Sequence, residues 1–198
     1  MQVSGNKWQF LLESLKDLDD SLKKCRSRLY VLRGQPIDIL SQLFKEWKIT
    51  KLTFEVDSEP FGVQRDAAIT TLAEELGVEV VQKVSHTLYD VNKILEYNGG
   101  TAPTQLKLFE SIVRKLGAPS KPVQAVTRGC FSSCVTPVCG NHDDVYGLPT
   151  LQELGCKAED VSSVGMWLGG EKEALRRLNL LEEKVGFYCS KLVKLLSS

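Results

Sequence analysis

Lys51-Leu52-Thr53-Phe54-Glu55-Val56, the polar turn Asp57-Ser58-Glu59-Pro60, and Val78-Glu79-Val80-Val81-Gln82-Lys83-Val84 decide the fold. Both apolar segments are short, rich in β-branched and aromatic residues, and bounded by turn formers, which is the pattern of a strand. Between them, residues 63–76 carry Ala68, Ile69, Leu72 and Leu76 at helical spacing, and Gly77 stands where a helix ends on a glycine. Strand, helix and strand at this spacing make a βαβ unit, which implies parallel strands with helices on the sheet. The expected class is α/β, a Rossmann-like, doubly wound parallel sheet with flanking helices.

Outward from this unit the pattern continues. Trp8, Leu11, Leu12, Leu15, Leu18 and Leu22 line one face of an amphipathic helix over 8–25. Arg28-Leu29-Tyr30-Val31-Leu32-Arg33 reads as a buried strand, ended by Gly34, and Pro36 suits the first turn of the helix that follows. That helix carries Ile37, Leu40, Leu43, Phe44 and Trp47. After residue 90 the pattern loosens to a turn at Asn98-Gly99-Gly100 and a helix over 104–116. Residues 117–170, rich in Gly, Pro, Ser and Thr, read as a long interdomain connection, and a last helix starts near Glu171.

Composition excludes several classes. Apolar residues at 42% and charged residues at 25% are ordinary for a globular chain. With Lys plus Arg equal to Asp plus Glu at 25 each, there is no global basic field of the kind a dedicated nucleic-acid binder carries. No apolar run approaches the roughly 20 residues of a membrane span, and residues 1–8 lack a leader pattern. The expected location is nucleus and cytoplasm, with the six cysteines as reduced thiols.

Several motifs, in order, resemble the animal cryptochrome and (6-4) photolyase family. They are Leu29-Tyr30-Val31-Leu32-Arg33-Gly34-Gln35-Pro36, Leu43-Phe44-Lys45-Glu46-Trp47, Phe54-Glu55-Val56-Asp57-Ser58-Glu59-Pro60-Phe61 and Arg65-Asp66-Ala67-Ala68. Ser85-His86-Thr87-Leu88-Tyr89-Asp90, Tyr146-Gly147-Leu148-Pro149-Thr150-Leu151 and Gly169-Gly170-Glu171-Lys172-Glu173-Ala174-Leu175 continue the series. The resemblance implies a partial α/β domain over 1–116, a linker over 117–170 and the start of a linker helix over 171–184. Residues 185–198 match nothing in the family. The Lys184-Val185-Gly186 junction fits translation past an exon boundary. By the same comparison, two central strands between those matching 28–33 and 51–56 are expected to be absent, as is the helical domain that binds FAD. Their absence would leave strand edges unpaired.

The resemblance also frames the candidate chemistry. The full-length relative is a blue-light flavoprotein, a photoreceptor of circadian rhythm or a DNA repair lyase, and DNA is a partner only for the full-length photolyase. Trp8, Trp47 and Trp167 do not match the family's electron-transfer chain, and no acid, base or nucleophile constellation appears, so this chain is expected to bind no FAD and to be no enzyme by itself. The pocket at the strand carboxyl ends holds an antenna chromophore in photolyases and receives a loop of a PAS-domain transcription factor in circadian cryptochromes. Its residues here are Arg33, Glu59, Phe61, Gly62 and Arg65. Gly62 stands where folate-type sites place a carboxylate, which disfavours a folate antenna; a deazaflavin is left open. Two readings stand for this turn: Arg65 offers planar, multi-donor recognition with close backbone approach at Gly62, or it is a solvated helix start with acidic residues complementing the dipole. His86 is expected to satisfy a backbone group at a strand end. Cys130, Cys134, Cys139 and His142 depart from zinc-site spacing and read as a loop with incidental thiols.

Overall fold

The computed structural model describes residues 4–121, 123–131, 140–157 and 167–182. In chain order these form α1 (Gly5–Lys24), α2 (Pro36–Glu46), β1 (Lys51–Glu55), α3 (Pro60–Glu75), β2 (Glu79–Lys83), α4 (Val91–Tyr97) and α5 (Leu106–Leu116). A 3-10 turn (Arg128–Phe131), α6 (His142–Tyr146) and α7 (171–182) follow. The chain divides into two compact units, Leu32–Ala125 on the one hand and Met1–Val31 with Val126–Ser198 on the other.

In the unit Leu32–Ala125, β1 and β2 pair in parallel, with Lys51 opposite Glu79, Thr53 opposite Val81 and Glu55 opposite Lys83. Pro36 and Pro60 open α2 and α3 at positions where a missing N–H costs nothing. Gly77, at φ +71°, reverses the chain after α3 so that Val78 N–H reaches back to the Ala73 carbonyl at 2.8 Å. The core is a knot of Phe44, Ala73 and Val78, with Leu40, Ile49, Leu52, Leu72 and Val80 packed around it. One sheet face is thereby covered; Lys51, Thr53 and Glu55 on the other face are exposed. α4, hidden from hydropathy by its seven residues, starts at Asp90, whose carboxylate accepts from Asn92 N–H at 2.9 Å, and ends on Gly99 and Gly100, both with positive φ.

In the other unit, polar contacts do the organising. The expected buried strand over 28–33 is not formed. Its backbone groups go elsewhere: Leu29 N–H donates to Asp19 Oδ1 at 2.9 Å, and Val31 N–H to the Tyr146 carbonyl at 2.9 Å. His142, 3% exposed, donates through Nε2 to the Leu29 carbonyl at 3.0 Å. With those partners taken, the segment has no ladder to join, and Leu32 and Arg33 lie exposed. Buried Asp19 also takes both Arg28 Nε at 3.1 Å and Nη2 at 3.2 Å, while Arg28 reaches on to Asp143. The start of α7 docks on α1, where Glu13 Oε2, Ser14 Oγ and Asp17 Oδ2 accept from the N–H groups of Gly169, Gly170 and Lys172 at 2.7, 3.1 and 3.1 Å. A β-carbon on Gly169 would fall 2.2 Å from the Phe10 carbonyl oxygen, so only glycine allows this approach.

Burial would raise the Asp19 carboxyl, but hydrogen bonds from Arg28, Leu29 N–H and Lys23 outweigh it and hold the group well below the usual carboxylate range. A carboxyl depressed in the folded state stabilises fully above its unfolded value, about 3.9, and that contribution is lost as pH falls through the folded value. Thermal melts from neutral to acid pH should therefore show stability falling below about pH 4. In Asp19→Asn, neutral-pH stability should drop by about 2 kcal/mol and the acid slope should flatten.

Candidate functional site

Four of the five pocket residues fall on the turn from β1 into α3. Asp57, by sequence an ordinary turn former, organises this turn. Its Oδ1 accepts from Glu59 N–H at 3.0 Å, holding the chain for entry into the helix. Its Oδ2 receives Arg65 Nη2 at 3.5 Å. Arg65 also donates Nε and Nη2 to Asp66 Oδ1 at 2.8 and 2.7 Å, and Asp66 Oδ2 accepts from Asp57 N–H at 3.4 Å. Asp66 is buried and Arg65 half-buried. The hydrogen bond to Asp66 is the main cause that pushes the Arg65 guanidinium above its usual value, so the group stays charged.

Gly62 is buried, and close approach is indeed its role, but the approaching group is the chain's own. A β-carbon there would sit 2.1 Å from Asp57 Oδ2 and 2.2 Å from its carboxyl carbon. Glycine at 62 therefore makes room for the Asp57 carboxylate. Beside this cluster Phe61 projects from the first turn of α3 with 78% of its surface exposed. Glu59, the N-cap position of α3, is exposed and makes no side-chain cap bond. The turn thus combines features of both sequence readings: a solvated helix start, and a planar arginine held in place beside a large apolar side chain. Arg33 is exposed in the segment before α2 and does not join the Asp57–Arg65–Asp66 hydrogen bonds.

Beyond the carboxyl end of β2 lies a half-open crevice of about 730 Å³, lined by Ser85, Leu88, Tyr89, Lys93, Lys121 and Val123 among others. Tyr89 Oη donates to the Gly117 carbonyl at 3.0 Å, which ties the crevice's two sides together. His86 is exposed past the strand and makes no hydrogen bond to a described residue, so the expected backbone contact is absent. His142, read as one of a loose set with three thiols, is instead the buried donor to Leu29; Cys134 and Cys139 lie outside the described residues. Among the described residues no cluster of three or more His, Cys, Asp or Glu could hold a metal ion, and no helix is long and apolar enough to cross a membrane.

The Gly62–Asp57 fit has a direct consequence. Gly62→Ala should displace the Asp57 carboxylate and cost about 2 kcal/mol in urea denaturation. In the Asp57→Gly background the same change should cost less than about half as much, because the carboxyl group and the β-carbon of residue 57, 2.6 Å away, are both gone.

Known proteins match this chain along most of its length. It is 52% identical over 176 residues to cryptochrome-1 of Mus musculus, covering 89% of this chain and 29% of that protein. Cryptochrome-2 of Gallus gallus is 51% identical over 177 residues, covering 89% and 30%. The chain therefore spans about 30% of the length of the cryptochromes it matches. A bacterial class III photolyase from Agrobacterium tumefaciens superposes with a TM-score of 0.62 at 24% identity, over 89% of this chain and 35% of that one, a likeness of fold. The family model described as DNA photolyase covers residues 1–126, which include β1, β2 and the whole Asp57–Asp66 turn, and on that match the chain belongs to the DNA photolyase family.

Proposed function

We propose that this chain acts as a protein-binding module of the cryptochrome and photolyase family, with the turn around Phe61 as its contact surface. The partner is a loop of a PAS-domain transcription factor. The carrying observation is the exposure of Phe61 beside a preset arginine. An aromatic anchor that is already outside costs little to bury in a partner, and an adjacent guanidinium held by two carboxylates loses little entropy on binding. Nε and Nη2 of Arg65 are used within the chain, and Nη1 makes no hydrogen bond to a described residue. Glu59 completes the contact; Gly62 serves it only by seating the Asp57 carboxylate, and Arg33 lies outside the hydrogen-bonded cluster.

Members of the family bind FAD. The described residues of this chain do not fit that group. The crevice beyond β2 has the volume but not the walls: Leu88 and Val123 at its mouth are 75% and 93% exposed, and its tyrosine holds Gly117. A flavin ring needs flat apolar cover on both faces. A pterin antenna is disfavoured for a different reason. The carboxylate nearest position 62 belongs to Asp57, and both of its oxygens are already engaged, with Glu59 N–H and Arg65.

Calorimetric titration of the chain with a circadian PAS-domain protein tests the reading. Phe61→Ala should weaken binding about tenfold or more without shifting the melt; binding unchanged in a folded Phe61→Ala chain would sink it. Separately, the purified chain should show no visible flavin absorbance when a full-length relative prepared alongside does. Flavin at about one per chain would return light-driven chemistry to consideration.

A further inference from the structure

The β1–β2 pair leaves the outer edge of β1 open among the described residues. Its geometry is defined by two bonds: Glu79 N–H donates to the Thr50 carbonyl, and Val56 N–H donates to the Lys83 carbonyl, both at 2.9 Å. Residues 50 and 56 thus face β2. Because backbone groups alternate in direction along a strand, Lys51, Thr53 and Glu55 turn their N–H and C=O groups away from it. No hydrogen bond from a described residue reaches those backbone groups.

The sequence of that edge is complementary to itself. In Lys51-Leu52-Thr53-Phe54-Glu55, an antiparallel pairing about Thr53 sets Lys51 against Glu55 of a second copy, Leu52 against Phe54, and Thr53 against Thr53. The residues that would exchange hydrogen bonds in this register, 51 with 55 and 53 with 53, are those whose backbone groups already face outward. We infer that β1 is the seam of a homodimer, two copies joining edge to edge across a twofold axis to give the strand order β2–β1–β1–β2. Such an interface is isologous and closes on itself.

The charges extend across all four strands. Within one copy Lys51 lies opposite Glu79, bonded at 3.1 Å, and Glu55 lies opposite Lys83. The joined sheet carries the row Glu79, Lys51, then Glu55 and Lys83 of the second copy, alternating in sign at every step. The twofold repeats the row in reverse. On the helix-covered face, half-buried Leu52 and Phe54 meet across the seam. Opposite charges, Thr–Thr pairs and aliphatic–aromatic pairs are each favourable when directly opposed across antiparallel strands. The outer edge of β2 is a weaker candidate: Glu79 and Lys83 also oppose each other there, but the outward residues are Val80 and Gln82, and Gln82 already donates to Thr70 Oγ1 at 3.2 Å.

Sedimentation equilibrium of the whole chain across the micromolar range tests the inference. The unaltered chain should reach twice the chain mass. Lys51→Glu and Glu55→Lys each place like charges on both rows and should raise the dissociation constant about tenfold or more. An equimolar mixture of the two variants should dimerise again, because both pairs opposed across the seam, 51 with 55 in either direction, are then of opposite sign; that rescue separates a broken seam from a broken fold. Thr53→Pro, which removes an N–H that points away from β2, should give a folded monomer. A monomeric unaltered chain would overturn the inference. So would a dimer that survives all three substitutions, or one that is lost only with Glu79→Lys or Lys83→Glu.

Discussion

Ala73 has no exposed surface, and the contact it makes with Phe44 and Val78 is the constraint on which the unit Leu32–Ala125 turns. A larger residue would hold α3 away from the start of β2, where the Ala73 carbonyl receives Val78 N–H. With α3 drawn this close, its first turn meets the end of β1, and Asp57, Gly62, Arg65 and Asp66 converge without any covalent restraint. The same packing covers one face of a two-stranded parallel sheet and leaves the other to Lys51, Thr53 and Glu55. Parallel sheets are commonly covered on both faces, and their strands then read as continuous apolar runs. The alternation in β1 is therefore informative: this strand is built to have one wet side.

The unit formed by Met1–Val31 and Val126–Ser198 is held on a different principle. Its described core is thin, and Phe10, Leu11 and Leu18 of α1 remain largely exposed. Position is set by charged and polar caps: Asp19 on Arg28 and Leu29, His142 on Leu29, and Glu13, Ser14 and Asp17 on the start of α7. Tyr30 lies edge-on to His142 with ring centroids 4.6 Å apart, and Tyr146 adds a tilted contact to both. Bonds of this kind depend on geometry, and the acidic members depend on ionisation, so this unit is the one that pH governs.

These two principles explain which parts of the fold are legible in the sequence. β1, α3 and β2 were legible because hydrophobic period, Pro60 and Gly77 all agree, and the core that results is local in sequence. The segment 28–33 misled because an apolar run states a wish for burial and says nothing of who will supply hydrogen bonds; Asp19, Tyr146 and His142 supplied them. α4 was missed for its brevity, although Asp90 two residues before Asn92, with Gly99 and Gly100 beyond, carried both of its ends. At the candidate site, Arg65 and Gly62 stood out by residue type. Asp57 did not, since an aspartate in a turn is ordinary, and its distinction lies only in which atoms it touches.

The contact between Asp57 and Gly62 also bears on how this turn can change through descent. The space over position 62 holds one group, and here residue 57 provides it. Any line of descent that places a side chain at 62 must first move or shorten the one at 57, and the reverse exchange opens a void over a buried helix start. The two positions therefore form a single heritable unit, and across many sequences they should covary, large with small, although four residues and an element boundary separate them.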